Sequence, residues 1–151
     1  MNTSQYNVYS LNDFIENHLI VNSYYKEIEE ILKQDNSIVN QENKNNLNEE
    51  NYPLILAVNL GLEDIVELLL KYGANPNIIN SEGDSAFINT LIFKNEKISK
   101  KYIQLFLDYG ADVNIQDSLF RTALMYSIRL NHKNIVKLLL ENGANPNLKD
   151  I

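Results

Sequence analysis

Apolar residues recur at i, i+3 and i+4 in three stretches of the chain: DIVELLLKY (64–72), KYIQLFLDY (101–109) and KNIVKLLLEN (133–142). That spacing collects them on one face of a helix. Each run leads into a glycine, Gly73, Gly110 or Gly143, the residue that ends a helix by taking a positive φ without steric cost. The glycines lie 37 and 33 residues apart, and nearly one phrase follows each: GANPN, GADVN and GANPN. Pro76 and Pro146 bar helical continuation, and the asparagines favour turns.

A second apolar run precedes each of these helices: YPLILAVNLG (52–61), SAFINTLIFK (85–94) and TALMYSIRLN (122–131). Ser85 and Thr122 are placed to cap such helices, and Pro53 sits where a first helical residue tolerates a missing N–H. Tyr52 has no short capping oxygen. The repeating unit is therefore turn, helix, tight loop, helix, glycine and extended finger, and a period near 33 residues signals stacked repeats. The unit ending at Gly110 has four extra residues around FKNEKISKKY, expected as a loop between its two helices.

The matching segments resemble the ankyrin repeat. The resemblance covers residues 51–150 and implies an all-α solenoid of stacked helix-turn-helix units with extended finger loops. Repeats are expected at about 47–79, 80–116 and 117–150. One departure is that Ile55, Ile88 and Met125 stand where the family carries a hydrogen-bonding histidine, so packing there is expected to be apolar. Upstream, SLNDFIENHLI and SYYKEIEEILKQ read as a degenerate helix pair, with Leu11, Phe14, Ile15 and Leu19 sharing a face of the first helix and Tyr24, Ile28, Ile31 and Leu32 a face of the second. Residues 1–40 are expected to form an N-terminal capping repeat, with SIVN (37–40) a worn copy of the finger phrase. Residues 41–50, rich in Asn and Glu, are expected to form a loop. Beyond the last finger no closing helix follows, so the face carrying Ile135 and Leu138 is expected to lie open.

Charge and composition narrow the chemistry. Residues 1–50 hold 3 basic and 9 acidic groups, within a whole-chain net charge of −7. That acidity opposes phosphate binding, so the four lysines 94, 97, 100 and 101 read as a solvated patch and no nucleic-acid partner is expected. There is no cysteine, hence no disulfide frame or thiolate metal site. His18 and His132 are far apart, and His132 matches a structural loop position of the family. No phosphate loop or nucleophile elbow occurs, so no enzyme activity, cofactor or metal is expected. No apolar run reaches the roughly 18 residues of a membrane span and no secretory signal is evident. A monomer in the cytoplasm, without membrane contact, is the expectation.

The resemblance implies partner binding on the concave face, lined by fingers and first helices. Carried over position by position, the finger residues include Asn48, Glu49 and Asn51, then Asp84, then Leu119 and Arg121. The first helices end in Asn59 and Leu60, in Ile92 and Phe93, and in Arg129 and Leu130. Leu60, Phe93 and Leu130 would form an apolar stripe beside two arginines, the residue types that anchor interfaces. The expected function is a non-catalytic protein-interaction module. Alternatives are a dedicated inhibitor of an enzyme or toxin, and an effector or host-range factor from an intracellular bacterium or large DNA virus. The family's hydroxylated finger asparagine corresponds to Asn77, Asn114 and Asn147, where turn stabilisation is the plainer role.

Overall fold

The computed structural model describes residues 11, 15, 24–42, 52–93 and 95–151. The expectations for Phe14, Leu19, His18, Lys94, residues 43–50 and Asn51 lie outside the described residues. The chain divides into two compact units, residues 1–75 and 76–151.

In the unit of residues 1–75, helix α1 (Tyr24–Gln34) leads into a 3₁₀ turn (Asn36–Asn40), then α2 (Pro53–Asn59) and α3 (Glu63–Lys71). At seven residues, α2 is too short to persist alone in water, and its Pro53–Val58 stretch is entirely buried. Ile28, Ile31 and Leu32 of α1 are buried, as are Leu11 and Ile15. Each fully buried Leu or Ile contributes roughly 1.5–3 kcal/mol, which is what holds so short a helix. Ile38 and Val39 are also buried. Asn40 then donates to the Gly73 carbonyl at 2.9 Å and accepts from the Asn75 N–H at 2.7 Å.

In the unit of residues 76–151, α4 (Ala86–Asn89) continues into a 3₁₀ turn (Thr90–Ile92). It is followed by α5 (Glu96–Asp108), α6 (Ala123–Arg129) and α7 (Lys133–Glu141). Ser85 accepts from the Ile88 N–H and Thr122 from the Met125 N–H, as their spacing implied. Phe87 and Phe106 meet in the core with ring centroids 5.9 Å apart. Thr90 and Ser127 are buried, their hydroxyls donating to the Phe87 and Leu124 carbonyls. Among the described residues there is no strand, only an antiparallel bridge between Ile79 and Ser85.

Two expectations are corrected. The four extra residues do not make a loop. The 3₁₀ turn ends at Ile92 and α5 starts at Glu96, the same interval as from Asn59 to Glu63 and from Arg129 to Lys133, and α5 instead runs 13 residues where α3 and α7 run 9. One helical turn takes 3.6 residues, so the insertion adds a turn to the start of α5, capped by Asn95 through the Lys97 and Ile98 N–H groups. Ile135, expected on an open face, is fully buried and Leu138 is half-buried. The exposed apolar residues of α6 and α7 are Ile128 and Leu140, together with Leu130 just beyond α6.

Candidate protein-interaction surface

The fingers are built by acceptors at equivalent positions. In one, the Asn80 side-chain oxygen accepts from the Glu82 and Asp84 N–H groups, and the Asn80 N–H donates to the Asp84 carbonyl. In the next, Asp117 does more. One carboxylate oxygen accepts from the Leu119 and Arg121 N–H groups, each at 2.9 Å. The other accepts from Arg121 Nε at 2.9 Å and from the Tyr126 hydroxyl at 2.8 Å, with Arg121 Nη2 also 2.8 Å away. Burial works to raise the Asp117 pKa, but these hydrogen bonds outweigh it and hold the carboxyl below its ordinary value. Burial and the Asp117 carboxylate push the Tyr126 phenol up to about 12. The Arg121 guanidinium lies over the Tyr126 ring, 4.8 Å from its centroid, a cation–π contact.

Asp117 thus fastens a fingertip to a helix that lines a cleft. The cleft has a volume of about 270 Å³ and is lined by Ile88, Asn89, Leu91, Ile92, Tyr126 and Leu130. It lies between the first helices of successive helix pairs. At the fingertip, Leu119 is 45 % and Phe120 53 % exposed. Phe120 has φ +58, where the preceding finger places Gly83 at φ +84. A bulky residue with positive φ is a conformational outlier.

The residues named from sequence separate on this surface. Ile92 and Leu130 share the cleft, Leu119 projects at the fingertip and Arg129 is exposed. Arg121 is ion-paired, and Asp84 is half-buried at the finger base. Phe93 is half-buried, its ring stacked on Tyr102 with centroids 5.3 Å apart. In the unit of residues 1–75, Asn59 is half-buried and Leu60 exposed. The sequence reading missed Tyr126 and Phe120. Tyr126 lies one helical turn before Leu130, a spacing that could have revealed it; Phe120 could have been found by aligning it with Gly83.

A family model described as ankyrin repeats, in three copies, matches residues 54–150. The chain belongs to the ankyrin repeat family. Ankyrin repeats are general protein-interaction modules, and the fold is the all-α ankyrin repeat architecture. The chain is similar to the putative ankyrin repeat protein R664 of Acanthamoeba polyphaga mimivirus, 38% identical over 87 residues, covering 57% of this chain and 54% of that one. It is also similar to the putative ankyrin repeat protein FPV216 of Fowlpox virus (strain NVSL), 35% identical over 86 residues, 56% of this chain and 29% of that one. Among solved structures it resembles the ankyrin repeat domain of Bcl-3, a member of the IkappaB protein family. The TM-score there is 0.58 with 27% identity, over 71% of this chain and 48% of the other. The chain thus spans about half of these relatives' length, or less. Among the described residues no helix is long and apolar enough to cross a membrane.

Proposed function

We propose that this ankyrin protein is a non-catalytic, monomeric module that binds a protein partner through the finger and first-helix surface of residues 76–151. Ile92, Leu130, Leu119 and Arg129 carry the contact, and Asn59 and Leu60 hold the equivalent helix positions in residues 1–75. The supporting observation is the apolar cleft with exposed Ile92 and Leu130 at its edge. Exposed apolar surface rimmed by polar groups is characteristic of interaction sites. Repeats at about 47–79, 80–116 and 117–150, with residues 1–40 as a cap, are part of the same proposal.

The test is a tagged pull-down with mass-spectrometric identification, wild type against an Arg129→Glu, Leu130→Lys variant shown by circular dichroism to be folded. A protein enriched by the wild type and lost by the variant supports the reading; equal capture by both overturns it. A second reading draws on the mimivirus and fowlpox relatives: the chain is a host-directed factor of a large DNA virus. That reading requires the captured protein to be eukaryotic, and capture of only virus-encoded proteins from infected cells would sink it.

A further inference from the structure

We propose that the cleft seats one bulky apolar side chain of an acidic segment in the partner, and that Arg129 receives that segment's carboxylate. This rests on the interaction-module reading and specifies what the partner presents. At about 270 Å³ the cleft falls below the roughly 300–1,000 Å³ of small-molecule sites, a size suited to an anchoring side chain. One wall carries Ile88, Leu91 and Ile92 beside Asn89, and on the other the Tyr126 hydroxyl is already committed to Asp117, so the tyrosine offers the cleft its ring.

The charge beside the cleft is specific. Arg121 is neutralised by Asp117 through two short contacts. Arg129 is exposed and has neither a hydrogen bond nor an ion pair among the described residues. Tyr126, one helical turn before Arg129, and Leu130, next to it in sequence, line the cleft, and the Arg129 charge acts on the Tyr126 phenol. An uncompensated cation beside Leu130 and within electrostatic reach of Tyr126 attracts a carboxylate, repels basic segments, and fixes the register of the anchor.

The experiment selects a displayed library of random 12-residue peptides against the whole chain, then measures binding of the enriched peptides by fluorescence anisotropy. The expected result is enrichment of a bulky apolar residue with Asp or Glu within a few positions. Leu130→Lys and Ile92→Lys, both at exposed positions and verified as folded, should each weaken binding at least tenfold. Arg129→Glu should reverse the preference, selecting Lys or Arg beside the same anchor. Peptides that bind the Lys variants unchanged overturn the cleft as the seat. An acidic preference that survives Arg129→Glu overturns the role of that arginine. Failure to enrich any peptide overturns a linear segment as the occupant, and the pull-down above decides separately whether the chain binds proteins. Sedimentation closes the remaining route: self-association abolished by Leu130→Lys would make a second copy of this chain the occupant and overturn the proposal.

Discussion

The Glu96 carboxylate accepts from the Asn134 N–H at 2.6 Å and from the Asn134 side-chain amide at 3.2 Å, tying the first turn of α5 to the first turn of α7. The α7 N-cap position is His132, which supplies no side-chain cap. A carboxylate at a helix N-terminus satisfies N–H groups that have no partner within the helix and meets the positive end of its dipole. The inserted turn of α5 carries Glu96, so the insertion provides the neighbouring helix with a cap.

Those same hydrogen bonds, the Asn134 N–H foremost, hold the Glu96 carboxyl below its ordinary value of 4.5. A carboxyl lowered on folding contributes stability above its unfolded pKa, and that contribution disappears as pH falls through the folded value. Glu96→Gln is therefore expected to lower Tm at neutral pH. The gap from wild type should close as pH drops below about 4.5. Thermal melts by circular dichroism across that window check it; a gap independent of pH would refute the assignment.

Gly83 and Phe120 occupy equivalent fingertip positions with opposite consequences. A Cβ on Gly83 would lie 2.4 Å from the Ser118 Cβ, on a backbone with φ +84. Gly83→Ala combines left-handed strain with overpacking and should cost about 2–4 kcal/mol, read from denaturant unfolding.

Phe120 pays a similar conformational cost at φ +58 while exposed. Phe120→Gly is expected to stabilise the chain by about 0.5–1 kcal/mol, the relieved strain being partly offset by the added freedom of the unfolded state. A loss of partner binding alongside that gain would show that the strain serves recognition.

Asn114 spans successive fingers. Its side chain donates to the Gly143 carbonyl at 3.2 Å and accepts from the Asn145 N–H at 2.7 Å, the arrangement Asn40 makes with Gly73 and Asn75. Asn114→Ala should cost about 1–2 kcal/mol, two net hydrogen bonds. Asn114→Asp should be no better than alanine at the Gly143 carbonyl, because a carboxylate cannot donate. Urea unfolding of both variants checks this.

The Asp117–Tyr126 hydrogen bond predicts a titration. Tyr126 should ionise near 12 and, because burial is the largest cause, should fall only part-way toward the ordinary tyrosine value in Asp117→Asn. Ultraviolet difference titration against Tyr126→Phe isolates this phenol from the other tyrosines.

The sequence by itself determined what hydrogen bonds and packing within a few residues decide. Ser85 and Thr122 cap N–H groups three residues on. The helices at Gly73, Gly110 and Gly143 close through Ala74, Ala111 and Ala144 donating to Leu69, Phe106 and Leu139. Such interactions are written in local spacing, and so the repeat, its helices and its family were legible. What lay between elements was not. The residues FKNEKISKKY are compatible with a loop or with a helical turn, and the turn is matched by Glu96 meeting Asn134, 38 positions away. The stacking of Phe93 on Tyr102 joins the end of one element to the middle of the next. The cleft requires Ile92 and Tyr126 from separate helices. Tertiary structure decided these features because each depends on a partner from another element that only the packing of helices brings within reach.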